Sequence, residues 1–227
     1  MCLDKRRKFY TVTPTRLTPQ LRPTIMRMDR NLIFWDVDTQ ADFMLPGGKL
    51  YIPGAETIIP TLAKLTRWAA SHQVLVVADV DAHQPDEEEF SLYPPHCLVG
   101  TPGQKKIPET TLSPQFIIPN RPKAELPAAE RYRQIVIEKQ TIDVFTNPNI
   151  EAFLARIGKP DIVLYGVVTE ICVAATTRGL LDRGYRVTIV EDAIRSLDNE
   201  QGRTFLDEVR RRGGRVVAAD RWLSEAA

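Results

Sequence analysis

The sequence contains few cysteines and no long hydrophobic run. Its three cysteines, Cys2, Cys97 and Cys172, include no CxxC pair. An odd number of widely spaced cysteines argues against a disulfide framework. No apolar run is long enough to span a bilayer, and the N-terminus lacks the apolar segment of a secretory signal. We therefore expect a soluble, cytoplasmic protein in a reducing compartment, without a membrane partner.

The chain also lacks a strong net charge. Its formal charge of +1 over 227 residues gives no global argument for a nucleic-acid or acidic partner. Residues 1–28 are nevertheless basic, with Asp4 as their only acidic residue. Only Phe9 and Tyr10 accompany these charges as aromatics, fewer than a nucleic-acid-binding segment needs. We predict a basic, flexible extension over residues 1–28 and one folded domain over residues 29–227.

Hydrophobic residues make up 43% of the sequence and charged residues 26%, a composition that suits a globular domain with a sizeable core. Short apolar runs indicate strands at 31–38, 74–78, 135–138, 162–165, 187–190 and 215–218. Amphipathic segments between them indicate helices. This alternation predicts a single-domain α/β fold with three layers, α/β/α, around a mostly parallel six-stranded sheet. A proline-rich stretch from 84 to 133 interrupts the pattern and contains one further candidate strand at 116–118.

Polar residues follow the ends of several predicted strands. The carboxyl ends of parallel strands share one edge of a sheet, where open α/β sheets bind ligands. The residues that we expect to converge there are Asp38, Asp81, His83, Lys139 and Cys172. Lys139 could instead be an ordinary exposed lysine at a strand end.

Cys172 lies where a predicted strand gives way to a helix. Free backbone N–H groups and the helix dipole should make its thiol ionise more easily than a free cysteine. An aspartate beside the thiol could take and return a proton, and the N–H groups of Val168 and Cys172 could hold an oxyanion. The alternative is a core cysteine that packs as a small hydrophobe.

Three features of the sequence resemble the isochorismatase-like cysteine hydrolase family. An apolar strand precedes residues 38–43, which match the motif Asp-x-Gln-x-Asp-Phe. Residues 166–173 match Gly-Val-x-Thr-x-x-Cys-Val, and Lys139 closes a middle strand. The resemblance spans residues 31–219. It implies that Cys172 is the nucleophile, Asp38 the acid/base and Lys139 the third member of the site.

The same resemblance implies details around the nucleophile. The peptide bond between Val167 and Val168 is expected to be cis, beside the oxyanion hole. Family positions also imply that Phe43, Tyr93 and Val167 contact the substrate. Phe43 and Tyr93 could equally be core residues. Tyr93 stands where nicotinamidases commonly have Trp.

Within the family, the sequence is most similar to the nicotinamidases, also called pyrazinamidases. These carry a similar Asp-x-His pair and a Pro-Pro-His-Cys-x-x-Gly-Thr-Pro-Gly stretch, here residues 94–103, and bind a divalent metal there. The resemblance implies that Asp81, His83 and His96 are ligands, with Glu89 as a further candidate. Mixed carboxylate and imidazole ligands suit Zn²⁺, with Fe²⁺ or Mn²⁺ as alternatives. The two histidines could instead be surface loop residues.

The activity implied by this resemblance is hydrolysis of a small aromatic amide, first of all nicotinamide, to nicotinate and ammonia through a thioester. The metal would hold the ring nitrogen of the substrate. The alternatives are a different amide, imide or ester as substrate, with the metal structural or absent, or a non-catalytic binding module. The protein could also assemble into a homo-oligomer. Asp36 has no account in this interpretation, because a carboxylate on a buried strand requires a partner such as an arginine.

Overall fold

Seven parallel strands form the centre of the protein. The structure is a computed structural model that describes residues 31–226. The strands are β1 (Leu32–Val37), β2 (Leu75–Asp81), β3 (Gln115–Ile118), β4 (Gln134–Lys139), β5 (Asp161–Val167), β6 (Val187–Arg195) and β7 (Arg215–Val217). They lie in the order β3-β4-β2-β1-β5-β6-β7, and each pair of neighbours is parallel. The seventh strand, absent from the predicted six, is the candidate at 116–118.

Helices cover both faces of the sheet. They are α1 (Ala41–Met44), α2 (Ile59–Ser71), α3 (Ile150–Ile157), α4 (Ala174–Asp182), α5 (Asn199–Arg211) and α6 (Ala219–Glu225). A 3-10 turn, Ala55–Ile58, precedes α2, and a π-helical turn, Thr169–Val173, precedes α4. The predicted three-layer α/β fold is confirmed.

The alternation of side chains along β1 explains the two halves of the core. Trp35 and Val37 contribute to one apolar cluster, which also contains residues of α3, α4 and α5. Phe34 lies in the other cluster, with residues of α2 and α6, and its ring stacks on Trp68 with centroids 5.6 Å apart. Since successive side chains of a strand point to opposite faces, one apolar strand is buried on both sides.

Strand β6 is longer than the apolar run at 187–190 predicted. Its pairing with β5 is irregular between Leu164 and Gly166, and it resumes at Ile194. Glu191 and Asp192, which directly follow the predicted strand, are exposed at this irregularity. A local break in the ladder lets two polar residues face solvent without ending the strand.

The predicted basic extension over residues 1–28 lies outside the described residues. Within residues 31–226, no helix combines the length and the apolar character that crossing a membrane requires.

Candidate active site

The carboxyl edge of the sheet brings together the residues that sequence analysis placed there. Asp38 follows β1, Asp81 and Lys139 end β2 and β4, and Cys172 follows β5. All four side chains are buried. Their convergence follows from the parallel topology, since strands that run the same way end at the same edge.

Lys139 joins two carboxylates at the base of this site. Its Nζ donates a hydrogen bond to Asp38 Oδ2 at 2.9 Å, and it also donates to Asp81 Oδ1. Burial alone would lower the pKa of Lys139, but Asp38 and Asp81 outweigh that effect and raise it well above its usual value. The lysine is therefore a fixed positive charge rather than an exposed strand-end residue.

Asp38 has one oxygen held by Lys139 and one free. Its backbone adopts φ 51°, a left-handed conformation that aspartate tolerates, and its N–H donates to Asp79 O at 3.1 Å. Oδ1 is buried and has no hydrogen-bond partner among residues 31–226. Burial raises the pKa of Asp38, and Lys139 offsets only part of that rise. When ionised, this carboxylate is a stronger base than an exposed aspartate.

Cys172 lies in the π-helical turn, and only 8% of its surface is exposed. Burial raises the pKa of its thiol well above the usual value; Lys139 lowers it, and the neighbouring Asp38 raises it further. The expectation of an easily ionised thiol is thus wrong, because desolvation of the buried thiol outweighs the favourable effect of Lys139. Ionisation of the thiol requires a proton acceptor, and Asp38 is the neighbouring base.

The turn that precedes Cys172 has the backbone implied by the resemblance. The Val167–Val168 peptide bond is cis, and Gly166 adopts φ 126°. A Cβ atom at Gly166 would lie 2.0 Å from Val37 O, so only glycine allows β1 and β5 to approach this closely. The oxyanion role of the N–H groups of Val168 and Cys172 stays a prediction.

A cavity of about 110 Å³ opens beside these groups. Among the residues of the predicted site, those that line it are Phe43, Asp81, Glu89, Tyr93, His96, Val168 and Cys172. Val167, predicted to contact the substrate, does not line the cavity. Its side chain is fully buried in the apolar cluster that contains Tyr165, since both side chains point to the same face of β5.

Six further cavity-lining residues were missed by the sequence analysis: Leu50, Tyr51, Ile52, Ile142, Ile171 and Leu197. Leu197 and Ile142 are 55% and 43% exposed, and they form an apolar rim at the cavity. Both lie outside the predicted strands and helices and outside the recognised motifs. No sequence signal marked Leu197.

Four potential metal ligands form one group at the edge of the cavity. Ligand atoms of Asp81, His83, Glu89 and His96 all lie within 4.8 Å of one another. The Nε2 atoms of His83 and His96 lie 3.5 and 3.3 Å from Asp81 Oδ2. Both histidines are almost fully buried, so they are not surface loop residues.

The surroundings of the two histidines leave Nε2 free to coordinate a metal. His83 Nδ1 is 2.6 Å from Glu87 Oε2, and His96 Nδ1 is 2.8 Å from Pro94 O. A hydrogen bond at one ring nitrogen fixes the tautomer that presents the other nitrogen to a metal. His83 Nε2 is buried without a hydrogen-bond partner in the described part of the chain. The group therefore fits a divalent cation.

Asp36 does have a buried partner, but it is a lysine. Lys106 Nζ donates to Asp36 Oδ2 at 2.6 Å and to Thr39 Oγ1 at 2.6 Å. Lys106 is 70 positions away in the sequence, in the long segment between β2 and β3. Nothing in the local pattern around Lys106 distinguished it from a surface lysine.

Comparison with known proteins agrees with this geometry. Residues 32–221 match the family described as "Isochorismatase domain", and the chain belongs to that family. The nicotinamidase of Escherichia coli (strain K12) is 24% identical over 177 residues, which cover 71% of this chain and 82% of that protein.

Two solved structures extend the comparison. An isochorismatase-like hydrolase from Alkaliphilus metalliredigens is 25% identical and superposes with a TM-score of 0.72, covering 87% of this chain and 100% of that one. The pyrazinamidase of Pyrococcus horikoshii in complex with zinc is 26% identical, with a TM-score of 0.67 and coverage of 83% and 99%. The resemblance to isochorismatase-like hydrolases, and among them to nicotinamidases, is confirmed.

Proposed function

We propose that the protein is a cysteine amidohydrolase that converts nicotinamide to nicotinate and ammonia. One observation carries the proposal: Cys172 and the potential metal ligands Asp81, Glu89 and His96 line the same small cavity. A substrate held there by its ring would present its carboxamide to the thiol. The similarity to a nicotinamidase and to a zinc-bound pyrazinamidase supports this choice.

The lining of the cavity suits a small ring. Its acidic residues, Asp81 and Glu89, are both potential metal ligands, and no Lys or Arg of the described chain belongs to it. The remaining lining is mainly apolar and aromatic, as expected for a site that binds a small ring.

Asp81, His83 and His96 would hold the divalent cation, with Glu89 as the remaining candidate ligand. Zn²⁺ is the first choice for this set of ligands, and Fe²⁺ or Mn²⁺ are alternatives. When bound, the cation would supply a Lewis-acidic contact for the ring nitrogen of the substrate. Lys139 contributes by holding Asp81 Oδ1, which leaves Oδ2 facing the two histidines.

In the first half of the reaction, the Cys172 thiol gives its proton to Asp38 Oδ1 as the sulfur attacks the carboxamide carbon. The N–H groups of Val168 and Cys172 hold the negative oxygen that forms. The carbon–nitrogen bond then breaks. Asp38 returns the proton to the leaving nitrogen, so that ammonia departs and a thioester remains on Cys172.

In the second half, a water molecule gives a proton to Asp38 and attacks the thioester carbon. The carbon–sulfur bond breaks, the acid is released, and the proton returns to Cys172. Lys139 stays charged through both halves, because its pKa is raised well above the usual value. It stabilises the ionised form of Asp38 each time that form is needed.

The test is ammonia release from nicotinamide before chelation, after chelation, and after Zn²⁺ is added back. We expect release that is lost with the metal and restored by Zn²⁺. No release from metal-loaded protein would contradict nicotinamide as substrate, and other amides, imides and esters would then be tested.

A further inference from the structure

Two buried polar residues of the segment 38–43 take no part in the chemistry above. Gln40 is fully buried and Asp42 is 6% exposed. Both use their side chains to bind the backbone of segments that carry potential metal ligands. We infer that Gln40 and Asp42 are positioning residues for the metal group: Gln40 fixes Asp81, and Asp42 fixes His96.

Gln40 holds both backbone groups of Asp81. Its Nε2 donates to Asp81 O at 2.8 Å, and its Oε1 accepts from the Asp81 N–H at 2.7 Å. The pairing of β1 with β2 ends two residues earlier, at Asp79. The side-chain amide therefore takes the place of β1 beside the last residue of β2. It fixes the backbone of the residue whose carboxylate faces His83 and His96.

Gln40 also ties Asp81 to the segment that follows the second histidine. Nε2 donates a further hydrogen bond to Gln104 O at 2.7 Å. Both hydrogens of the amide and its oxygen are thus engaged, as expected of a buried amide that specifies one geometry. In Gln40→Glu, a carboxylate oxygen would replace Nε2. This oxygen cannot donate a hydrogen bond, and it would face the carbonyl oxygens of Asp81 and Gln104.

Asp42 anchors the residue that follows His96. Its Oδ2 accepts a hydrogen bond from the Cys97 N–H at 2.7 Å, and Cys97 adopts φ 45°. Its own N–H donates to Gly103 O at 3.0 Å. A Cβ atom at Gly103 would lie 2.2 Å from Asp42 Oδ2, so the carboxylate fits there only against glycine.

The hydrogen bond from Asp42 to the Cys97 N–H also affects the position of the His96 ring, because His96 directly precedes Cys97. His96 Nδ1 is held by Pro94 O at 2.8 Å, inside the same turn. The orientation of the ring is therefore set within that turn, and Asp42 fixes the position of the turn against α1. Asp42 Oδ1 also accepts from the Lys49 N–H at 3.0 Å, next to the cavity-lining residue Leu50.

A second buried glutamine provides a matched control, because its side chain has a similar structural role but lies away from the metal group. Gln134 is also fully buried, and it also binds a loop through both ends of its amide. Its Nε2 donates to Thr110 O at 2.9 Å, and its Oε1 accepts from the Leu112 N–H at 3.1 Å. Gln134 is the first residue of β4, so it lies at the amino ends of the strands, whereas the metal group lies at their carboxyl ends.

The experiment compares Zn²⁺ affinity in the wild type, Gln40→Glu and Gln134→Glu. Metal-free protein is titrated with Zn²⁺ in competition with a chromophoric chelator, and with Co²⁺ to record the absorption spectrum of the bound ion. We expect Gln40→Glu to weaken Zn²⁺ binding roughly 10- to 100-fold, as other changes beside metal ligands do, and to alter the Co²⁺ spectrum. Gln134→Glu should lower the melting temperature but keep both affinity and spectrum.

Asp42→Asn provides a second variant, which also serves if Gln40→Glu does not fold. It should weaken Zn²⁺ binding too. An asparagine at position 42 has only one side-chain oxygen, so its amide nitrogen would face the N–H of Cys97 or of Lys49 and one of these two hydrogen bonds would be lost. Affinities equal to the wild type in both variants would overturn the inference, as would an equal loss in Gln134→Glu.

The inference rests on the metal group of the proposed function and not on nicotinamide. Failure of the wild type to bind Zn²⁺ would overturn both, whereas absence of ammonia release would contradict only the substrate.

Discussion

Lys139 Nζ lies 2.9 Å from Asp38 Oδ2, and the same amino group donates to Asp81 Oδ1. One buried cation thus balances the proposed acid/base and a potential metal ligand. Because the two carboxylates share this partner, the two parts of the site depend on each other electrostatically.

Replacement of Lys139 by methionine should disable both parts. Lys139→Met leaves Asp38 and Asp81 buried without their shared cation, a change that costs roughly 3–5 kcal/mol when one partner of a buried pair is lost. We expect a lower free energy of unfolding, loss of ammonia release and weaker Zn²⁺ binding. Denaturant unfolding, kinetics and metal titration measure the three effects.

Lys106→Met is the matched control, since Lys106 pairs with the buried Asp36 away from the cavity. It should also destabilise the protein but keep kcat/KM near the wild-type value. Comparable activity in Lys139→Met and Lys106→Met would show that Lys139 has only a structural role.

Removal of the proposed nucleophile should separate catalysis from binding. Cys172→Ala is expected to lower ammonia release by at least about 10³-fold, because no other group can form the thioester. Zn²⁺ and nicotinamide should still bind, which calorimetry would measure. Mass spectrometry of the wild type during turnover should detect the acyl group on Cys172. Retained turnover in Cys172→Ala would exclude the proposed mechanism.

The parts of the site that could be predicted lie next to regular elements. Asp38, Lys139 and Cys172 follow apolar strands, and parallel topology alone brings such residues to one edge. The direction of the pKa shift of Cys172 could not be predicted in this way, because burial, its largest cause, is a property of the folded protein.

Contacts between residues that are distant in the sequence could not be predicted either. Lys106 pairs with Asp36 across 70 positions, and Leu197 reaches the cavity from the connection between β6 and α5. Neither position belongs to a periodic pattern or to a recognised motif. Their roles depend on tertiary packing, which local propensity does not encode.

The exposed rim of the cavity should affect substrate binding more than chemistry. Leu197 lines the cavity, and its N–H donates to Glu170 Oε1 at 2.9 Å, a contact that does not depend on its side chain. Leu197→Ala removes apolar contact worth about 1 kcal/mol, so KM for nicotinamide should rise roughly fivefold while kcat changes little. Leu92→Ala is the control, because Leu92 is 81% exposed and lies outside the cavity lining. A change in kcat alone for Leu197→Ala would contradict this role.

The buried carboxylate of Asp36 should give stability a measurable dependence on pH. Burial raises the pKa of Asp36, and Lys106 only partly offsets this effect. An unfolded chain releases the corresponding proton near a pKa of about 3.9. Between the two pKa values the folded protein binds more protons than the unfolded chain, so the stability contributed by Asp36 falls as pH rises.

The comparison of the wild type with Asp36→Asn measures this contribution together with a smaller one of the same sign from Asp79, because the charge of Asp36 raises the pKa of Asp79. The difference in free energy of unfolding, wild type minus variant, should fall as pH rises above about 4 and level off above the raised pKa of the folded state. Urea unfolding at a series of pH values measures the difference. If it rises with pH instead, the pKa of Asp36 must be lowered in the fold, and the Lys106 ion pair must outweigh the cost of burial.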